Sequence, residues 1–172
     1  MKRKQMTMAA PMLATSLAAL LAFGSWAVPA AAAVTVTFVQ PQQYRDLPFN
    51  PIDREDILKR MGEHFVQLEK LLPPGQDLNI EVLDFDMAGR LVPNFRGNQD
   101  LRVLHGGADW PHMVLRYTLS ANGQVIASGQ DQLSDMAYLD HINSLSDGDP
   151  LRYEKRMVDD WFKKKFAVQR RG

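Results

Sequence analysis

Apolar and polar residues alternate from Val34 through Thr35, Val36, Thr37 and Phe38 to Val39, which predicts a half-buried first strand. Pro41 ends it, and a loop runs to Pro51. Asn50-Pro51, with Asp53 close behind, marks a helix start; Ile57, Leu58, Met61, Phe65, Leu68 and Leu72 then recur at helical spacing on one stripe. Glu55–Lys59 and Asp56–Arg60 are four-apart pairs on its wet side, and Pro73-Pro74-Gly75 stops it. Leu78, Ile80 and Val82 alternate with Asn79 and Glu81 in a second strand, which runs out at Asp84-Phe85-Asp86 and turns at Ala88-Gly89. A polar stretch through Gly97 and Asn98 shows no periodicity. Leu101-Arg102-Val103-Leu104 is a short third strand, broken by Gly106-Gly107.

Asn122-Gly123 between two β-rich runs predicts a hairpin with a type I′ turn. Met113, Leu115, Tyr117 and Leu119 share one face of the incoming strand, and a two-residue turn sets Leu119 opposite Ile126. Strict register would put Gln130 opposite Leu115, a poor core pairing, so a bulge is expected at Gly129 to return Leu133 to the buried side. After Ser134 the pattern offers at most a short helical turn. Asp149-Pro150 then opens a last helix, with Asp149 as N-cap. Tyr153, Met157 and Trp161 form one row on it, Val158, Phe162 and Phe166 a second, and Lys163, Lys164 and Lys165 sit in the last turn, where cations suit the helix dipole. The order predicts an α+β domain: an antiparallel sheet of about five strands covered on one face by two helices.

The residues ahead of the first strand read as a secretion signal. Lys2, Arg3 and Lys4 precede an apolar stretch from Met8 to Val28, and in Pro29-Ala30-Ala31-Ala32-Ala33 the pair Ala31 and Ala33 fits an Ala-x-Ala cleavage site. A permanent anchor would need a polar or basic flank to stop transfer; here the small residues lead straight into a strand. The expectation is a signal peptide over 1–33, one domain over 34–172, no stable membrane anchor, and a periplasmic destination. Lipid anchoring by the bacterial lipoprotein route needs a cysteine, and the chain has none. That absence also leaves stability to packing, and excludes thiol nucleophiles, iron–sulfur clusters and cysteine zinc sites. Three of the 20 basic residues and none of the 20 acidic ones lie before the cut, so the mature chain is weakly acidic, unlike a general nucleic-acid binder.

Several segments together resemble the bacterial domain-of-unknown-function family numbered 3016. They are Val34 to Phe38 with Pro41 and Tyr44, Leu72-Pro73-Pro74-Gly75-Gln76, Asp84 to Gly89, the hairpin from Pro111 to Leu133 with Ser134-Asp135-Met136, and Leu151 to Met157 with Asp160-Trp161-Phe162. The resemblance covers nearly all of the mature chain. It implies a secreted or periplasmic bacterial protein and supplies no catalytic residue.

Candidate chemistry starts with Asp84 and Asp86. Alternation puts both carboxylates on one strand face, where they can hold a cation or share a proton, against the plain role of Asp at a strand end. His105, Asp109 and His112 lie close together around Gly106-Gly107 and could ligate zinc, though at no motif spacing. Trp110 is a candidate contact for a partner, or a residue folded onto the sheet. Asp140-His141 with Ser134 or Ser146 makes a paper triad without a Gly-x-Ser-x-Gly elbow. Arg116 and Asp131 are expected as a diagonal surface pair worth little. The second apolar row of the last helix is either core or an exposed partner surface. No cofactor or metal is expected.

The leading expectation is a non-enzymatic periplasmic binding or accessory protein, acting on a macromolecular partner through the sheet face or the Trp110 loop. The rivals are a small hydrolytic or metal-dependent enzyme using Asp84, Asp86, His105 or His112, and a small-ligand carrier with an apolar pocket between helices and sheet.

Overall fold

The computed structural model describes residues 31–44, 46–94, 101–141, 145 and 148–166. The expected signal core and Ser146 lie outside these. The described chain is α+β, in the order β1 (Ala33–Phe38), α1 (Pro51–Gln67), β2 (Gln76–Asp86), β3 (Arg90–Val92), β4 (Leu101–Val103), β5 (His112–Ala121), β6 (Gln124–Ser134) and α2 (Arg152–Lys165). Four strands form the main sheet in the order β1-β2-β5-β6, and β3 and β4 pair apart from it. Within the main sheet β1 runs parallel to β2, with α1 as the crossover, and the other pairs are antiparallel. The strand expected at Leu101 therefore joins a two-stranded flap rather than the main sheet. Its partner, β3, lies at the start of the stretch without periodicity.

Both helices lie on one face. Val34, Leu78 and Leu119 make one cross-strand row of that face, and Val82 and Leu115 belong to another. Met61, Phe65 and Leu68 of the first helical segment and Met157, Val158 and Phe162 of α2 complete the core. Asn50 caps α1 by accepting from the Ile52 N–H at 3.0 Å, with Pro51 next in the chain. The start of α2 differs from expectation. The helix begins at Arg152, and Asp149 accepts the Leu151 N–H at 2.9 Å while pairing with Lys155 at 2.7 Å. Asp149 thus secures the approach to the helix rather than its first turn.

The hairpin turn is as expected, with Asn122 at φ 51°, Gly123 at φ 77° and Ala121 opposite Gln124. The bulge is not at Gly129. Leu119 faces Ala127 and Ser120 faces Val125, so Ile126 is the extra residue, turned out and 54% exposed. Leu133 still reaches the buried side, opposite Met113. Gly129 instead lies opposite Tyr117, and a Cβ there would sit 2.9 Å from the tyrosine hydroxyl. The ring occupies the space a side chain would need.

The expected Arg116–Asp131 pair also does not form. Arg116 meets Glu81 at 2.7 Å on the open face. Asp131, opposite Leu115, points to the helix side, where it accepts from Trp161 Nε1 at 2.8 Å and from Lys165 Nζ. Asp131 stands two residues before Leu133, so the register that buries Leu133 turns Asp131 to the helix side as well. Trp161 and Phe166 stack edge-on against Tyr117, so the aromatic rows of α2 close the core beside this pair. Ala31 is exposed and Ala33 opens β1 opposite Asp77. Among the described residues no helix is long and apolar enough to cross a membrane.

Candidate functional site

A second bulge positions the first candidates. Val82 faces Leu115 and Asp84 faces Val114, leaving Leu83 as the extra residue. Asp84 and Asp86 share a face, as alternation requires, and the bulge makes it the open face rather than the buried face of Leu78, Ile80 and Val82. They do not act as a pair. Asp84 accepts the N–H of Phe85 at 3.0 Å, and Asp86 Oδ2 lies 3.3 Å from His112 Nδ1. The last row of the sheet therefore reads Asp86, His112, Ser134 across three adjacent strands.

A cleft of about 890 Å³ opens at this end of the sheet. Asp86, His112, Gln132 and Ser134 supply its sheet side, Met87 to Arg90 the turn after β2, and His105 to Trp110 much of the opposing wall, with Met136 at the rim. Four of the five candidates thus share one space. Asp84 lies next door, in a smaller hollow of about 530 Å³ with Tyr44 and Val39 that has Asp86 and His112 in common with the cleft.

The loop that carries His105 and Trp110 is held by Asp109. Its carboxylate accepts the His105 N–H at 2.8 Å and the Tyr138 hydroxyl at 2.9 Å, and its carbonyl accepts the Gly89 N–H at 2.8 Å. Burial works against its charge, but these hydrogen bonds outweigh it and hold the carboxyl below the usual range. The same bond and burial push the Tyr138 hydroxyl up to about 12. His105 itself is mostly exposed, 3.9 Å from Asp109. Trp110 packs against Ala88, Tyr138 and Tyr153, so its ring is both a wall of the cleft and a cap on a small satellite core. Among the described residues no group of three or more His, Asp or Glu side chains gathers closely enough to hold a metal ion.

Two residues that local pattern did not single out brace the site. Arg102 of β4 donates to Asp46 at 2.7 Å and to the Ala88 carbonyl at 3.2 Å, tying the flap, the loop before α1 and the turn after β2 together. Glu154 of α2, 1% exposed, accepts the Ala88 N–H at 2.7 Å, while its second oxygen is buried without a partner among the described residues. Burial pushes its carboxyl up to about 7. Asp86 is raised as well: burial comes first, His112 and Arg102 oppose it, and Asp46 and Asp84 add to it. A charged residue in an apolar helix row was the available signal for Glu154, since it stands four residues before Val158 and eight before Phe162. Of the paper triad, Ser134 and His141 line one hollow, but His141 lies 3.4 Å from Asp135 rather than beside Asp140, whose N–H donates back to Ala137; the version with Ser146 falls outside the described residues.

The fold and cleft define a small α+β protein with an open, mixed polar and aromatic cleft at one end of its sheet. The chain belongs to the family described as Protein of unknown function (DUF3016), whose model matches residues 32–164. Among curated proteins and among solved structures nothing matches it.

Proposed function

We propose that this chain is an exported binding protein that holds a segment of a macromolecular partner in the Trp110 cleft. The observation that carries the reading is the cleft itself. It combines an aromatic wall at Trp110, an apolar rim where Met136 is 67% exposed, and a polar sheet side with Asp86, His112 and Gln132. Binding sites commonly pair apolar area with a few fixed polar groups. The loop presenting Trp110 is also braced in advance by Asp109 and Tyr138, which lowers the ordering cost of binding. The N-terminal charge and apolar pattern supports export, with the cut at Ala33 and action in the periplasm.

A photo-crosslinking residue placed at Met136 in the exported protein should give one discrete high-mass adduct. The same residue at Lys70, exposed on the segment after α1, should give none. Equal adducts at both positions, or none at Met136, would remove the cleft as the binding surface.

A further inference from the structure

We infer that the row Asp86–His112–Ser134 is an acyl-transfer site, with Ser134 as nucleophile, His112 as general base and Asp86 as the group that orients the imidazole. The inference goes beyond binding and does not need a macromolecular partner. It starts from register: Asp86 faces His112 and His112 faces Ser134, so the three side chains stand in line on the open face and all line the cleft. Directly opposed residues have Cβ atoms about 5 Å apart. An imidazole and a serine rotamer together can close that gap.

The orientation of the histidine matches the role. Its Nδ1 lies 3.3 Å from the Asp86 carboxylate, an ion-pair contact that a small ring rotation would align as a hydrogen bond, while Nε2 and the Ser134 hydroxyl have no partner among the described residues. A carboxylate on one ring nitrogen selects the tautomer in which the other accepts a proton. In unliganded enzymes the nucleophile–base contact is often longer than in the reacting complex. Ser134 is exposed at the end of an edge strand, so a substrate reaches it without displacing backbone. Arg90, on the same cleft and without an ion pair among the described residues, offers positive charge for an oxyanion.

The substrate class is a carboxylic ester. An alkoxide leaves with less help than an amine, and a shallow site on a sheet face offers less stabilisation than an enclosed one. Ser134 Oγ attacks the ester carbonyl as its proton passes to His112 Nε2. The carbonyl carbon–oxygen bond to the alcohol then breaks, and the alcohol leaves with that proton. Water, deprotonated by His112, attacks the acyl-serine and releases the acid, restoring the Ser134 hydroxyl. Ester and water become acid and alcohol, with no other reactant.

The test uses the folded mature protein, a fluorophosphonate probe read by intact mass and peptide mapping, and p-nitrophenyl acetate hydrolysis. One adduct, on Ser134, is expected, lost in Ser134→Ala. His112→Ala should slow labelling by at least about a hundredfold, and Asp86→Asn should slow it while leaving the circular dichroism spectrum unchanged. Ser134→Cys should restore a covalent adduct, with iodoacetamide, faster than in the same variant carrying His112→Ala. No adduct on the native protein, an adduct elsewhere, or labelling indifferent to His112→Ala overturns the proposal. Crosslinking at Met136 that persists in Ser134→Ala keeps the two readings separable.

Discussion

Glu154 reaches across the domain to Ala88, 66 residues away in sequence, and accepts its backbone N–H at 2.7 Å. This bond joins α2 to the turn after β2, which carries Met87 and Gly89 into the cleft. The second carboxylate oxygen has no partner among the described residues, so the neutral acid is the form this site accommodates.

Stability should therefore fall as pH rises toward neutrality. Burial raises the folded carboxyl to about 7 from its ordinary 4.5, so the folded state binds more protons between those values. Its contribution is complete below the unfolded value and is lost as pH passes the folded one, a loss of about 3 kcal/mol. Glu154→Gln should melt higher than wild type at pH 8 and show a flatter Tm profile between pH 4.5 and 7. Parallel profiles would mean the group is not titrating there.

Gly89 and Gly107 both adopt left-handed backbone, at φ 76° and 77°, but in different surroundings. A Cβ at Gly89 would lie 2.4 Å from the Val103 carbonyl oxygen, whereas at Gly107 it meets nothing within 4 Å. Gly107→Ala should cost about 1 kcal/mol through backbone conformation alone. Gly89→Ala should cost clearly more and loosen the flap. Chemical denaturation of the two variants checks the order.

Asp131 and Arg116 should separate sharply in an alanine scan. Asp131→Ala leaves the Trp161 indole N–H unpaired in a partly buried setting, at a cost of about 1–3 kcal/mol. Arg116→Ala removes an exposed pair with Glu81 and should change stability by less than about 1 kcal/mol. Burial works against the Asp131 charge, but hydrogen bonds from Lys165 and Trp161 hold its carboxyl low. Its contribution is therefore present above the unfolded carboxylate value and is lost as pH falls through the folded one. Comparable losses in the two variants would contradict the assignment of faces.

Chelator should leave Tm within about 2 °C. Each histidine of the cleft has one carboxylate beside it, His112 with Asp86 and His105 with Asp109, and among the described residues no third ligand joins either pair. A metal bound at a hundred times its Kd would stabilise by about 2.7 kcal/mol, a shift of several degrees. Such a shift with zinc or calcium, abolished by Asp84→Asn or His105→Ala, would assign a metal role to these side chains.

Protein recovered from the periplasm should begin at Val34. Ala33 pairs with Asp77 at the start of β1, and Val34, opposite Leu78, is the first buried residue of the strand, so a cut after Ala33 removes only the half-buried Ala32 from the edge of the core. An intact mass retaining Met8 to Val28 would contradict release.

What could be read from the sequence alone was whatever depends on neighbours a few positions away. The alternation at Val34, the stripe through Met61 and Phe65, the Asn50 cap and the Asn122-Gly123 turn all follow from side-chain period and local backbone preference. So did the shared face of Asp84 and Asp86, and the grouping of His105, Trp110 and His112 within one short segment; that the shared face is the open one was decided by the bulge at Leu83. Tertiary structure decided what depends on pairing between distant residues. Glycine is the residue that bulges most easily, so the bulge was expected at Gly129, but Tyr117 needs that empty space and the bulge falls at Ile126. Asp131, two residues before the buried Leu133, shares its face under either placement, and there it meets Trp161. It was cross-strand register that set Ser134 beside His112, and a tertiary packing contact that placed Glu154 under Ala88. A strand's own period says which residues share a face, but only its partner's register says which side chain each of them meets.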